Sequence, residues 1–466
     1  MEPNWTSVIP PLLAVALAFI TREAVVSLII ACVVGVVLLG HGVQGFPDLL
    51  TRALGNEDFI WVCSIEVAIG VLVAFLQGSG AIGLFRQRVS TWVKDQKQVG
   101  FLGWILGLSI FFSDYFSPLF VGPVMRDMTD RFRISREKLA YICDSTSASV
   151  ITLVPITTWA VYLGGLAITA TGLEGREAAL ALFIRTVPFN LYCILTVLMV
   201  LLVVLKVIPD YGPMRTAEDR TNSTGKVMRD GAVPMMGREL TELEASESTR
   251  SNIVLNFMLP VTLIVVVNVT TFAVTGSANV LGSFLLACAV LGLVMWLQRI
   301  DSIRGLAQTA MKGIKGVMPA VVILALAYCI NHVSQELGTA RYVVGVTASW
   351  MSPAVVPTLA FVVSAFISFA TGTSWGTYAI MVPIALPLAV QFGGDVMSPL
   401  TYVTFAAVAG GGVFGDHCSP LSDTTVLSSL GSACDHIDHT RTQLPYAVSV
   451  AFVVSLAYLV IGLLVT

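Results

Sequence analysis

Stretches of apolar residues able to span, or nearly span, the ~30 Å hydrocarbon layer of a bilayer recur along the chain. They cover 8–20, 24–40, 59–76, 101–112, 139–171, 178–208, 253–275, 279–298, 315–335, 354–392, 398–431 and 444–466. Each predicts helix, because a backbone in lipid must satisfy its hydrogen bonds within its own segment. Some runs are clean, such as Ile253–Thr275. Others are interrupted by Gly, Pro and polar residues, at FFSDYFSP (111–118), CDSTSAS (143–149), TGTSWGT (371–377) and GDHCSPLSD (415–423). The first run, about 13 residues, either extends past Pro10–Pro11 or lies where the bilayer is thin.

Lys and Arg orient these runs, since short cytoplasmic loops carry their excess. Three loops are rich: Arg86, Arg88, Lys94, Lys97; then Arg126, Arg131, Arg133, Arg136, Lys138; then Arg299, Arg304, Lys312, Lys315. The loops at 41–58, 172–177, 336–341 and 393–398 are poorer and belong outside. With 86–98 and 126–138 both inside, the stretch between them enters and returns as a hairpin whose tip is FFSDYFSP. The run 139–171 then crosses outward as a broken helix. After a hydrophilic linker the pattern returns upside down, with a hairpin at TGTSWGT and a break at GDHCSPLSD. This predicts an all-α polytopic membrane protein of two inverted-topology repeats, 1–208 and 253–466, joined by a cytoplasmic linker, 209–252, with both termini outside. Each repeat has a re-entrant helical hairpin and a discontinuous helix. Sequence echoes agree: LQGSGA (76–81) with SQELGTA (334–340), and a 272-residue offset pairs Asp144, Ser147 and Thr152 with Asp416, Ser419 and Thr424. Inverted repeats of this kind place a transport site at their broken segments near the midplane.

Composition sharpens the class. Of the 466 residues 56% are hydrophobic and only 12% charged, with mean hydropathy +0.83; soluble domains carry roughly 25% charged residues. Fourteen of the 55 charges lie between Asp210 and Arg250, leaving the rest of the chain poorer still. A net charge of −3 offers no basic footprint for nucleic acid. The opening MEPNW lacks the positive region of a cleavable signal peptide. Most of the eight cysteines sit in apolar runs without a CxxC pair, and read as small core residues.

A charge at the bilayer centre costs roughly 2.5–3.5 kcal/mol on insertion scales, so each one asks for a reason. Five carboxylates stand out: Glu66, Asp114, Asp144, Asp416 and Asp423. Four fall at the breaks among hydroxyl residues, where Ser145, Thr146, Ser147, Thr371, Thr373, Ser374, Ser419, Ser422 and Thr424 supply further oxygens. Carboxylate, hydroxyl and carbonyl oxygens are the hard ligands that Na+ prefers, so Na+ is expected on Asp144, Asp416 and neighbouring oxygens. A buried carboxylate can instead hold a proton. Simple helix capping explains Asp144, Asp416, Asp114 or Asp423 equally in kind. His417 adjoins the second break as a relay or a structural hydrogen-bond partner. Glu66, Asn331, His332, Trp159 and Trp375 are candidates to line a pocket, against snorkelling or ordinary packing. DHIDH (435–439) has metal-ligand spacing but reads as a solvated cap before the last span.

At these segments the chain resembles the NhaC-type Na+/H+ antiporter family, through RISREKLAYICDSTSAS (133–149), SFATGTSWGTYAIMVPIALPLA (368–389), GDHCSPLSDTTVLSS (415–429) and CDHIDHTRTQLPYA (434–447). The resemblance runs from about residue 60 to the end. It implies membership of the wider ion-transporter superfamily, with re-entrant hairpins, homodimers and an elevator-like movement. Members so described exchange Na+ for H+, malate for lactate with Na+, or carry amino acids. The chain departs from the family pattern at Ser147–Ser149, where a small residue and then Pro is expected. It departs again at YCIN (328–331), where an aromatic–small–apolar–Gly pattern is expected.

The expected function is therefore secondary active Na+/H+ antiport in the cell (inner) membrane, with Na+ and H+ as coupling ions, no other cofactor and no enzymatic activity. A Na+-coupled carrier of a small organic solute, carboxylate or amino acid, is the alternative. An intramembrane aspartyl protease is remote, since Asp114–Tyr115 reverses its YD motif and VFGD (413–416) lacks the first Gly of GxGD. No P-loop or HExxH is present.

Overall fold

Pro10 and Pro11 occupy the first turn of helix α1 (Ile9–Thr21), where a missing N–H is tolerated. The first apolar run thus extends through the proline pair, preceded by a 3-10 turn at Trp5–Val8. The computed structural model describes residues 4–89, 93–155, 157–241, 243, 250–275, 278–347, 350 and 352–465. Of the linker's acidic residues, Glu242, Glu244 and Glu247 lie outside that set.

The first half continues with α2 (Ala24–Leu38), a short amphipathic α3 (Phe46–Leu54), α4 (Glu57–Gly78) and α5 (Ala81–Val89). The first hairpin is α6 (Gln96–Ser109) and α7 (Phe116–Arg131), started by Asp95, whose carboxylate caps the Gln98 N–H. The broken helix is α8 (Arg136–Ser145), one turn of α9 (Ala148–Ile151) and α10 (Thr158–Thr171), followed by α11 (Arg176–Thr186) and α12 (Leu191–Val204). The linker holds α13 (Gly212–Thr224) and α14 (Arg238–Thr241). The second half has α15 (Leu259–Thr275), α16 (Val280–Leu297), α17 (Ile303–Glu336) and α18 (Thr339–Thr347). Its hairpin is α19 (Val356–Thr371) and α20 (Ser374–Gly393). The broken pair α21 (Pro399–Cys418) and α22 (Asp423–Ser432) precedes α23 (His436–Val465). Among the described residues no strand forms beyond one isolated bridge, Pro234 with Asp435.

The expected interruptions are real. The hairpin tips fall at 110–115 and 372–373, and Gly372 turns the second with φ +71°, a conformation that favours Gly. Among the described residues six helices are long and apolar enough to cross a membrane, or up to eight if each bent pair counts as one span. The protein is a multi-pass membrane protein. The inner helix faces pack closely: Gly122 of α7 and Gly431 of α22 meet backbone to backbone, where any Cβ would collide.

The helices pack in two sets. In one, α4 lies along α17, flanked by α2 and α16, and α16 by α15. In the other, α21 is wrapped by α19, α20, α12 and α23, while α22 packs on α7 and α8, and α10 on α20. Contacts between the sets are thinner and involve chiefly α17 with α22 and α4 and α5 with α7.

The linker is folded rather than merely hydrophilic. Lys138 of α8 donates to Asp210 at 2.7 Å and Glu218 at 3.4 Å, with Lys138 and Glu218 side chains only 5% and 6% exposed. Arg220 grips Glu137 at 2.9 Å. Removing one partner of a buried ion pair costs roughly 3–5 kcal/mol. Lys138→Met should therefore lower the thermal unfolding midpoint of the purified protein, and Lys138→Met with Glu218→Leu should recover much of the loss. An unchanged midpoint in the single variant would show that the linker is not structurally engaged.

Candidate functional site

Asp416 occupies the last turn of α21, buried, and its two carboxylate oxygens are claimed by different elements. Ser374 Oγ, from the first residue of α20, donates to Oδ2 at 2.6 Å. Ser422 Oγ, from the N-cap of α22, donates to Oδ1. Thr424 Oγ1 lies 3.5 Å from Oδ1 and 3.0 Å from Ser422 Oγ. The carboxylate thus sits between two helix N-termini, whose free N–H groups and dipole ends favour an anion. Thr425 Oγ1 holds the Asp416 carbonyl at 3.0 Å. Ser419 Oγ donates to the Phe369 carbonyl at 2.8 Å, tying the break to the end of α19.

The two breaks meet. Ser145 Oγ is 2.7 Å from His417 Nε2, and Tyr192 OH is 2.9 Å from His417 Nδ1, so both ring nitrogens have partners. The His417 carbonyl accepts from Gln443 Nε2, which also donates to Asp144 Oδ2 at 2.7 Å. That carbonyl can only accept, so the Gln443 amide turns its oxygen to His439 Nε2, 2.9 Å away. His439 Nε2 is also 3.7 Å from Asp144 Oδ2. Asp144 Oδ1 and the hydroxyls of Ser117 and Ser149 are buried with no hydrogen-bond partner among the described residues. Ser147 Oγ turns back to the Asp144 carbonyl at 2.7 Å, and Thr146 Oγ1 to that of Ile142 at 2.7 Å.

The first hairpin closes one side. Asp114 Oδ2 accepts from Trp159 Nε1 at 3.1 Å. Tyr115 OH donates to Asp423 Oδ2 at 2.9 Å, so Asp423 joins the hairpin tip to α22 in addition to lying in the first turn of that helix. Trp159 packs against Trp375 with centroids 4.9 Å apart and edge-on to Tyr378 at 5.4 Å. Tyr162 adds a ring 4.6 Å from Trp375 and donates to its carbonyl at 3.1 Å.

Other candidates stand apart. Asn331 accepts from Gln335 at 3.0 Å, and His332 lies 3.1 Å from Glu336. His332 lines a cavity with His41, Asp48, Arg52 and Glu336, at the end of α17 that packs against α2 and α3. Thr371 Oγ1 bonds back to Ile367 at 2.8 Å, and Thr373 is the N-cap residue of α20 without a side-chain cap bond. Glu66 is fully buried on α4. DHIDH is no solvated cap: Asp435 does cap α23, accepting from Ile437 and Asp438 N–H at 3.1 Å each, but the segment is buried. Linker residues cover it, Arg229 Nε reaching Asp438 at 2.5 Å and Val233 N–H reaching Asp435 at 2.9 Å. Among the described residues no cluster of three or more His, Cys, Asp or Glu is arranged to hold a metal ion. Sequence reasoning passed over Gln443 and Tyr192, and gave His439 and Tyr115 no part at the breaks. Gln443, four residues after His439 near the start of the last apolar run, was the readable signal.

A family model described as the Na+/H+ antiporter family matches residues 150–463. An uncharacterised protein of Haemophilus influenzae is 32% identical across 98% of this chain and 90% of its own length. The arginine/ornithine antiporter ArcD of Halobacterium salinarum is 34% identical over 31% of this chain and 29% of its own. The malate-2H(+)/Na(+)-lactate antiporter of Bacillus subtilis is 31% identical over 28% of this chain and 31% of its own. These two relatives with assigned cargoes match under a third of the chain, whereas the family model spans the second hairpin, both parts of the second broken helix and most of the final helix. With its membrane-spanning helices and buried polar breaks, this chain belongs to the Na+/H+ antiporter family.

Proposed function

We propose that the protein is a secondary active transporter exchanging Na+ for H+ across the cell (inner) membrane, by an elevator-like movement of one helix set against the other. The observation that carries this reading is Asp416: a buried carboxylate ringed by the hydroxyls of Ser374, Ser422 and Thr424 at a break where backbone oxygens are also free of the helix. That is a hard-oxygen ligand set suited to Na+. The unpartnered Asp144 Oδ1, one residue from the bonded Ser145–His417 pair, supports including Asp144 in the same cation-handling assembly.

Inverted repeats agree with the packing. The third long helices α4 and α17 pack on each other, and each hairpin's second arm packs on the other half's broken helix, α7 on α22 and α20 on α10. A membrane-plane pseudo-twofold axis would generate such exchanged pairs. The exposed apolar faces of α15 and α16 suit lipid or a second copy of the chain. In this topology the linker is cytoplasmic, so a cysteine introduced for Ser223, exposed on α13, should be labelled only after permeabilisation. Labelling in intact cells would overturn the inverted arrangement.

A Na+-coupled organic solute remains the second reading. The aromatic wall of Trp159, Trp375 and Tyr162 favours it, as do relatives named for arginine/ornithine and malate/lactate. Exchange on shared carboxylates is tested by adding NaCl to the purified protein in weak buffer: proton release is expected, and choline chloride should give none. Equal pH traces for the two salts contradict it.

A further inference from the structure

Glu66 is the tenth residue of the 22-residue helix α4 and is 0% exposed. Neither of its carboxylate oxygens has a hydrogen-bond partner among the described residues. Its neighbours one turn away on α4 are Val62, Cys63, Ile69 and Gly70. The groups facing this part of α4 from the packed elements are neutral or acidic. From α16, Cys288 donates to the Ala68 carbonyl at 3.2 Å. From α17, Tyr328 packs edge-on to Phe59 at 5.4 Å, and from the hairpin tip Tyr115 packs edge-on to Trp61 at 5.7 Å. Across the boundary between the two helix sets lies Asp423, which accepts the hydroxyl of the same Tyr115 that packs on Trp61 of α4. Among the basic groups of the adjoining elements, Arg52 and His332 pair with Glu336 and Arg126 with Met236, while Arg304, Lys312 and Lys315 of α17 are exposed.

An ionised carboxylate buried without a partner is untenable, so this position needs either a proton or a cation. A cation needs a ring of oxygens, whereas the residues one turn away on α4 are aliphatic, thiol and Gly, and the nearby Tyr115 hydroxyl and Asp423 carboxylate are bonded to each other. The proton remains. We propose that Glu66 is a proton-binding site of the transporter, separate from the Asp416 assembly and coupled to it through Asp423. This rests on the reading of the protein as a Na+/H+ exchanger. A Na+ ion beside Asp423 and a proton on Glu66 each add positive charge on facing sides of one boundary, so each disfavours the other. Linkage makes the effect reciprocal: proton on Glu66 disfavours Na+ on the opposite set, and Na+ there expels the proton. Because α4 belongs to the other helix set, Glu66 is uncovered by its moving neighbour and need not travel itself.

Glu66→Gln keeps the shape and the neutral form, so it should fold. Infrared difference spectra of the purified protein in lipid, titrated between about pH 5 and about pH 9, should show a protonated carboxyl stretch that is missing in Glu66→Gln. Spectra identical in the two proteins throughout overturn the site. In proteoliposomes an imposed Na+ gradient should drive proton movement in the wild type and in Glu66→Asp, with fewer protons moved per Na+ in Glu66→Gln. Undiminished proton movement in Glu66→Gln overturns the coupling role alone. A wild type that moves no proton under a Na+ gradient overturns the exchange reading, and the coupling with it, while the infrared band still decides whether Glu66 holds a proton.

Discussion

Asp416→Asn should weaken Na+ binding by roughly 100-fold, measured with radioactive Na+ on the purified protein. Asparagine keeps the size: one of Ser374 and Ser422 still donates to its carbonyl oxygen and the other hydroxyl can accept from its NH2, so the fold should survive. What goes is the negative charge, and hydrogen bonds to charged groups are worth up to about 3 kcal/mol, two decades in affinity. Ser374→Ala, which deletes a single hydroxyl, should cost about tenfold on the same scale. An Asp416→Asn protein that melts normally and binds Na+ with wild-type affinity would remove this residue from the cation site. If Asp144 instead carried the ion alone, its amide variant would show the loss and Asp416→Asn would not.

Arrest of transport by a cross-link between the helix sets is the second large effect expected. Trp61 of α4 and Tyr115 at the first hairpin tip are in ring contact at 5.7 Å, one on each side of the boundary. Cysteines in both places, joined by a reducible bifunctional thiol reagent that spans the space of the two rings, should stop transport and release it on reduction. Moving a closed polar site past a fixed surface avoids stripping a bare ion of its water in hydrocarbon. That argument holds for Na+ alone and for Na+ with a solute. Undiminished flux in fully cross-linked protein would defeat the elevator for both.

The interruptions were legible because lipid imposes a strict rule on sequence: polar and helix-breaking residues in an apolar run must earn their place. Asp114, Asp144, Asp416 and Asp423, with their serines and threonines, were found on that ground, and the hairpins and breaks fall where they stand. The packing between distant segments was less visible. The apolar run 178–208 suits a static, lipid-facing element by composition, yet α12 packs on α21 and α23 beside the site. Gly411 and Gly415 hinted at this crowded core, since each lies against the backbone of α19. The first break is also longer than CDSTSAS, because beyond the single turn α9 the next helix, α10, starts only at Thr158. DHIDH looked like a loop for a different reason. Its burial depends on Arg229 and Val233, some 200 residues earlier, and no local periodicity records that. Asn331 and His332 share a helix with site-proximal residues, but their partners at Gln335 and Glu336 hold them at its far end.

The central claim is that Na+ movement is paid for by protons. The direct measurement is radioactive Na+ flux from proteoliposomes loaded with Na+ and subjected to an outside-acid pH jump, with no organic solute on either side. The account predicts Na+ efflux that begins with the jump, collapses when a protonophore dissipates the gradient at clamped voltage, and is lost in Asp416→Asn. Efflux that stays at the level of empty liposomes until an amino acid or small carboxylate is added would contradict it and make the protein a Na+–solute carrier.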